Sequence, residues 1–440
     1  MTALVWAWLA VAVVLAAGTV VLSRWLMFRD AREAQRAAAL LEPEPADDPQ
    51  RGRPRPWVIV NPSKHDDPAA FREEVNALAA ERGIPHVHWI ETTPDDPGTG
   101  QALRAVELGA SVVIAAGGDG TVRAVAAGMA HTGVRMGILP VGTGNLLARN
   151  LGLPLSDTAA ALGIALGDTH QAVDLAWLRV EDADERSGLP AEGGLVADAG
   201  APSIRPLPEG LAEPRPDEYA FVVIAGLGFD GETMAGTDPD LKKKVGWAAY
   251  VLSAFKALRA RRVHARVSLR GAAPVPEEDA DRADEAGAAG RGSSPDPAPR
   301  GDGGEDGDGS PLLTEDSEFT ARTVMFANCS DLPYIVLVPD ASLNDGLLDV
   351  VAVDTQAGVL GWANLSRKVL LQGAGVPADN LPTGLGSIDF RQARGATVTV
   401  DAPEVVQVDG DAIGSARTVH ARVDAGALDV SVPAPSVTAV

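Results

Sequence analysis

Between residues 57 and 166, short apolar runs alternate with segments whose apolar residues recur every three or four positions. WVIVNP (57–62) reads as a strand, and AFREEVNALAAERG (70–83) as a helix ended by Gly83. HVHWIETT (86–93) predicts a strand, GQALRAVELG (100–109) a helix, and SVVIAAGG (111–118) a buried strand. TVRAVAAGMA (121–130) continues as a helix, MGILPVG (136–142) as a strand, and LSDTAAALGIALG (155–167) as a helix with Asp157 near its N-terminus. Strand and helix alternating at this pitch imply an α/β fold with parallel strands and crossover helices.

Beyond Val173 the pattern shortens to β-rich runs with turn signals between them. They are AVDLAWLRV (172–180), YAFVVIAGLGF (219–229), HARVSLR (264–270), TARTVMFANCS (320–330) and LLDVVAVD (347–354). ATVTVDAP (396–403), VVQVDGD (405–411), TVHARVDAG (418–426) and ALDVSVP (427–433) complete the series, with helical patches near 241–260 and 357–373. A mostly antiparallel second domain follows from this pattern. The expected division is 57–172 for the first domain and 173–432 for the second.

Two stretches lack any hydrophobic period, 183–217 and 272–318. The second carries 14 acidic and three basic side chains, which supplies −11 of the formal charge of −23. Such composition cannot bury enough apolar surface to offset chain entropy, so both are expected to be disordered surface insertions. The net charge argues against general nucleic-acid binding. One cysteine, Cys329, in 440 residues excludes an internal disulfide framework. It is expected to be a small buried apolar residue.

Residues 3–22 are uncharged and span about 30 Å as a helix, the thickness of a hydrocarbon core. Trp6, Trp8 and Trp25 fall near its two ends, and Arg24, Arg29, Arg32 and Arg36 follow it. No basic residue precedes it, as a cleaved secretion signal would require, so residues 1–28 are expected to be an uncleaved transmembrane anchor. The positive-inside rule then places the catalytic body on the cytoplasmic face of a single-pass inner-membrane protein. Residues 29–56, which include EPEPADDPQRGRPRP, read as an extended juxtamembrane linker. Lys242, Lys243 and Lys244 precede an apolar run containing Trp247, Tyr250 and Phe255, and Arg259, Arg261, Arg262, His264, Arg266 and Arg270 follow it. That segment suits an anionic membrane surface, although aromatic stripes more often face a core, which makes a core helix with a basic edge the alternative. A second copy of the chain is a further candidate partner, and the acidic insertion is expected to repel or mask the basic segment.

The densest chemical signal is AAGGDGTVRAVAAGM (115–129), where a strand turns through glycines into a helix. Gly117, Gly118 and Gly120 would let the backbone approach a ligand and take positive φ. The helix N-terminus near Thr121 suits a phosphate. Asp119 is an odd neighbour for phosphate unless a cation or a proton-transfer task accompanies it. A plain glycine turn with Asp119 as a cap is the alternative.

NPSK (61–64), GGDGT (117–121) and LPVGTGN (139–145), followed by AGLGFDGE (225–232), VPDASLNDGLLDVV (338–351) and VQVDGD (406–411), resemble the diacylglycerol kinase catalytic family in order and spacing. That family includes sphingosine, ceramide and bacterial lipid kinases, and the resemblance extends from 57 to about 432. It implies a two-domain lipid-kinase fold: a Rossmann-like α/β nucleotide domain and a β-rich, sandwich-like acceptor domain. It further implies ATP and Mg²⁺, and transfer of a phosphoryl group to a lipid hydroxyl, with diacylglycerol the first candidate acceptor. By the same resemblance Asn61, Pro62, Ser63 and Lys64 would line the nucleotide cleft, and Gly117, Gly118, Asp119, Gly120, Thr121, Val122 and Arg123 would lie over the phosphates. Thr143 would contact the nucleotide from the far side, with Thr92 or Thr93 facing it. A structural Mg²⁺ would be held by Asp345 and the carbonyls of Ser342 and Leu347; a plain turn at Asn344-Asp345-Gly346 is the alternative. Asp411 stands where the family's general base is more often glutamate, one methylene longer, so the base is Asp411 or Asp119. A sphingoid-base or other lipid-alcohol kinase, a NAD kinase and a non-catalytic nucleotide-binding regulator are the other readings.

Overall fold

A computed structural model describes residues 54–181, 217–228, 262–272, 314–332, 335–336, 341–355 and 386–435. The anchor and most of the linker, the insertion at 183–217 up to residue 216, the basic segment at 241–260 and the patch at 357–373 lie outside the described residues, as does nearly all of 272–318. Residues 54–440 group as one compact unit. Among the described residues no helix is long and apolar enough to cross a membrane.

The first half alternates as its periodicity requires. Strand β1 (Pro56–Val60) leads through a 3-10 turn (Pro62–Lys64) to helix α1 (Pro68–Glu81). Asp67 caps α1, accepting from the N–H groups of Ala69 and Ala70 at 3.0 Å each, with Pro68 at the first helical position. Then come β2 (His88–Glu91), α2 (Thr99–Glu107), β3 (Val112–Gly117), α3 (Asp119–Met129) and β4 (Arg135–Pro140). A five-residue α4 (Leu146–Asn150) and α5 (Thr158–Ala165) close this half; Asp157 caps α5 through the N–H of Ala160. The strands pair in parallel in the order β4-β3-β1-β2.

Every residue of β1 and β3 is buried, because both faces of a parallel sheet are covered. Val58, Val60, Ile114 and Ala116 pack on one face with Val75, Ala79, Ala161 and Leu162 from α1 and α5. Ile59, Val113 and Ala115 pack on the other with Ala105, Val106, Val125 and Met129 from α2 and α3.

The second half is antiparallel, as its short alternating runs imply. β5 (His170–Glu181), β6 (Glu218–Phe221), β7 (Ile224–Leu227), β8 (Val263–Ala272), β9 (Thr314–Ala321) and β10 (Thr323–Ala327) come first. The two-residue strands β11 (Asp331–Leu332) and β12 (Ile335–Val336) precede β13 (Leu348–Thr355), β14 (Gly386–Val408) and β15 (Asp411–Ser431). Long β14 pairs with β7, β8, β13 and β15, which encloses a core of Phe221, Leu269, Phe326, Val350, Val398 and Val419.

Four expectations differ at their edges. The last four runs merge into two long strands, bent by register shifts between Thr399 and Glu404 and between Asp424 and Leu428, so turn-like residues are absorbed as irregularities. Residues 219–229 split into β6 and β7. The expected insertion 272–318 is too wide: Thr314–Glu318 are strand, paired with β8 from Arg270 to Arg266. Acidic composition there is compatible with an edge strand because alternate side chains face solvent, where Glu318 meets Arg266 at 2.6 Å. Finally, α3 begins at Asp119 rather than near Thr121, because Gly118 takes the cap position.

The sheet passes from its parallel to its antiparallel half where Val430 of β15 pairs in parallel with Met136 of β4. Among the described residues thirteen strands share this sheet. The turns that carry the candidate site follow the carboxyl ends of β1, β2, β3 and β4, where open α/β sheets bind ligands.

Candidate active site

Three turns converge at those strand ends. Asn61 ties two of them together: its backbone N–H donates to Ala116 O at 3.0 Å and its side-chain amide to Thr121 Oγ1 at 3.3 Å. Its carbonyl oxygen in turn accepts from Ser63 N and Ser63 Oγ, which shapes the Pro62-Ser63-Lys64 turn. Lys64 lies beside the glycine loop, its Cε 3.6 Å from where a β-carbon on Gly118 would stand.

The third turn, at 141–145, presses on the same loop. A β-carbon on Gly142 would lie 2.7 Å from Gly118 Cα, closer than real carbon atoms approach. A β-carbon on Gly117 would meet the Thr121 side chain at 2.6 Å. These glycines are therefore required by close packing. None of Gly117, Gly118 and Gly120 has positive φ, contrary to expectation, because the chain enters α3 through an extended Gly118 instead of a left-handed turn.

Asp119 bridges the glycine loop and the 141–145 turn. Its Oδ1 accepts the N–H of Leu146 at 2.6 Å and its Oδ2 that of Asn145 at 3.1 Å, so it caps α4 from a distance in sequence. Asn145 is left-handed (φ 49°) and holds its own turn through Gly142. Burial raises the Asp119 carboxyl above its ordinary pKa; the two N–H groups oppose that rise, and the charge of Asp411 adds to it.

Asp411 arrives from the opposite half. Val408 and Asp411 pair across a two-residue turn whose Asp409 and Gly410 both have positive φ (44° and 85°), the mirror-image geometry of tight hairpins. Its Oδ2 stands 3.7 Å from where a Gly120 β-carbon would be, and 3.0 Å from a guanidinium nitrogen of Arg123. The structure thus brings both candidate bases, Asp119 and Asp411, to one end of α3.

Other expected residues divide. Thr143 is exposed in its turn. Thr92 is buried and continues the strand pairing through Val60 O at 2.9 Å, whereas Thr93 is exposed and its hydroxyl accepts from Asp96 N at 3.0 Å. The Val122 side chain does not line the cleft: it is buried in the core between α3 and the sheet, as α-helical periodicity demands one turn from Val125 and Ala126. The Arg123 guanidinium is engaged by Val408 O and Asp411.

At the expected metal turn, Asp345 Oδ1 accepts from Leu347 N at 3.0 Å and Ser342 Oγ donates to Asn344 Oδ1. Among the described residues there is no group of three or more His, Cys, Asp or Glu side chains placed to hold a metal. A single carboxylate with backbone carbonyls remains a hard-oxygen donor set that suits Mg²⁺. The buried Asp174 packs against this turn, accepting from Gly346 N and Gly426 N at 2.7 Å each. Burial raises its carboxyl above its ordinary pKa, with the charges of Asp345 and Asp424 adding to the rise.

Sequence reasoning missed Asp409. It is buried, and its carboxylate accepts from Val222 N, Val223 N and Ile224 N at 2.9–3.0 Å, which locks the β14–β15 turn onto the β6–β7 connection. The Asp-Gly pair marked the turn, but nothing local marked partners some 185 residues away. Cys329 is buried, as expected.

Residues 55–178 match the diacylglycerol kinase catalytic domain. A relative from Pseudomonas aeruginosa strain UCBPP-PA14, described as a "Probable lipid kinase YegS-like", is 29% identical over 376 residues, 83% of this chain and 92% of its own. A protein of the same description from Klebsiella pneumoniae strain 342 is 36% identical over 137 residues, 29% of this chain and 42% of its own. The crystal structure of a diacylglycerol kinase from Bacillus anthracis str. Sterne shares the fold, with a TM-score of 0.53 at 17% identity over 87% of this chain and 98% of that one. A glycine loop closed by a second glycine turn, set in a matched catalytic domain, makes this protein a kinase. The family model and the relatives support a lipid kinase similar to the diacylglycerol kinase catalytic family.

Proposed function

We propose that the chain transfers the γ-phosphoryl group of ATP to the hydroxyl of a membrane lipid, with diacylglycerol the acceptor and phosphatidic acid the product. One observation carries this: Asp411 reaches from the antiparallel half to within 3.7 Å of the Gly120 β-carbon position, so a proton acceptor stands at the phosphate loop. The lipid relatives and the apolar segment 3–22 support a lipid acceptor over a soluble one.

The phosphates would lie against Gly117–Thr121 at the start of α3, whose dipole favours negative charge, with Lys64 close enough to add its own. Thr143 and Thr93, both exposed at strand ends, are placed to meet the nucleotide. In the transfer the lipid hydroxyl oxygen bonds to the γ-phosphorus as the bond to the β–γ bridging oxygen breaks. ADP leaves, and the hydroxyl proton passes to the Asp411 carboxylate. Asp119 has both oxygens engaged by backbone N–H groups and holds the loop in shape, and the base role goes to Asp411, whose side chain is 43% exposed. Positioning and charge neutralisation would supply most of the rate.

Asp345 with the Ser342 and Leu347 carbonyls would hold a Mg²⁺ that stiffens the LNDGLL turn beside Asp174; a nucleotide-bound Mg²⁺ would neutralise phosphate charge. Residues 3–22 would tether the body to the inner membrane on its cytoplasmic side, and the basic residues flanking 245–258 would meet anionic lipid. Labelled ATP offered with diacylglycerol, sphingosine, ceramide and NAD in parallel tests this reading; label in NADP alone would replace it.

A further inference from the structure

We propose that Arg123 is the positioning residue of this site, holding the Asp411 carboxylate over the phosphate loop, and that it is not a phosphate ligand. This rests on the reading of Asp411 as the base. Arg123 lies in the first turns of α3, and its side chain is only 19% exposed. One guanidinium nitrogen donates to Val408 O at 2.8 Å and another to Asp411 Oδ2 at 3.0 Å. Those two acceptors belong to residues paired directly across the base of the 409–410 turn. A single planar fork therefore fixes both the backbone on one side of the hairpin and the carboxylate on the other.

Three features make this a positioning device instead of a surface ion pair. The donor is on the helix whose first turn forms the phosphate loop, so hairpin and loop cannot shift independently while the fork is closed. The carboxylate reaches the loop backbone itself, its Oδ2 in van der Waals range (3.7 Å) of where a β-carbon on Gly120 would stand. Asp409, in the same turn, is buried, and the charge of Arg123 opposes the rise that burial gives its carboxyl. A polyphosphate approaching Gly117–Thr121 would find that fork already engaged. Lysine could not substitute fully, because it is a point charge without the fixed fork that serves a carbonyl and a carboxylate together.

A misplacement of about 1 Å can cost on the order of 10²-fold in rate. The test is steady-state kinetics of the full chain in mixed micelles containing diacylglycerol, with ATP titrated, for Arg123→Met, Arg123→Lys, Asp411→Asn and the double variant Arg123→Met with Asp411→Asn. The expected result is a kcat roughly 30–100-fold lower for Arg123→Met with the KM for ATP changed less than about threefold. Arg123→Lys should recover part of the loss, and the double variant should be no slower than Asp411→Asn alone, since the fork then has no carboxylate to place. A KM for ATP raised about tenfold or more with kcat preserved would make Arg123 a phosphate ligand and overturn the proposal. So would losses that multiply in the double variant. Melting curves accompany each variant; if Arg123→Met does not fold, the Arg123→Lys split between kcat and KM decides alone. A wild-type chain that labels no lipid would instead overturn the lipid-kinase reading itself.

Discussion

Asp119 and Leu146, 27 positions apart in sequence, meet directly: the carboxylate accepts the backbone N–H at 2.6 Å, and Asn145 donates to its second oxygen at 3.1 Å. This contact joins the glycine loop after β3 to the turn after β4, the two turns proposed to flank the nucleotide. Hydrogen bonds to a charged group contribute about 1.5–3 kcal/mol each. Asp119→Ala should therefore lower stability by about 2–4 kcal/mol in urea titration and cut phosphorylation at least about 10²-fold. Asp119→Asn keeps one acceptor oxygen and should lose less of both. If the asparagine variant were as inactive as the alanine variant while as stable as wild type, Asp119 would be acting on the proton and not on the loop.

Asp409 makes a second prediction, concerning pH. Burial raises its folded pKa above the unfolded value, with Arg123 and three N–H donors opposing the rise. A carboxyl raised in the fold binds more protons there than in the unfolded chain. Its contribution is full below the unfolded pKa and is lost as pH rises through the folded one. An asparagine does not titrate and offers an N–H₂ where a donor already points. Asp409→Asn should cost about 2–4 kcal/mol, and the gap to wild type should be widest in acid and narrow towards neutral pH. Urea midpoints at several pH values from about 4 to 7.5 read this directly. A gap that widens with pH would reverse the sign.

Gly142→Ala tests the close approach of the two turns. Its methyl would lie 2.7 Å from Gly118 Cα, a backbone atom that can move only by displacing the loop. The KM for ATP should rise about tenfold or more while the melting temperature falls only a few degrees, because the strain is local to a surface loop. Fluorescent-nucleotide titration and thermal melts check both, and an unchanged nucleotide affinity would mean the loop does not receive the phosphates.

Membrane association makes the fourth. Removing residues 1–53 should move the chain from the membrane to the soluble fraction while micellar activity stays within about twofold, since the compact unit begins at Pro54. Deleting 273–313, which spares β8 and β9, should raise binding to anionic liposomes at low salt and less so at about 0.15 M salt. Vesicle co-sedimentation reads both. Equal binding with and without the acidic stretch would dismiss a masking role.

How much of this could be read from sequence depends on the range of the interaction. The strand-helix alternation to residue 166 was legible because parallel strands buried on both faces are continuous apolar runs, as in Val112–Gly117. The Asp157 cap was legible because its partner is three residues away. The split roles of Asp119, Asp409 and Arg123 were not, since each is defined by a backbone group or carboxylate brought close by the sheet order. The resemblance implied that Arg123 would lie over the phosphates; its bonds to Val408 O and Asp411 depend on strands that only the fold brings to α3. The long strands β14 and β15 were hidden because bulges at Thr399–Glu404 and Asp424–Leu428 carry the residues that usually mark chain reversals.

The most direct test of the central claim is a phosphotransfer assay on the purified full chain in detergent–lipid micelles with labelled ATP and Mg²⁺. Diacylglycerol, sphingosine, ceramide and NAD are supplied together, alongside Asp411→Ala. The account predicts label in phosphatidic acid that falls at least about 10²-fold in the variant while nucleotide binding persists. Label in NADP only, or lipid labelling that survives the loss of Asp411, would contradict it.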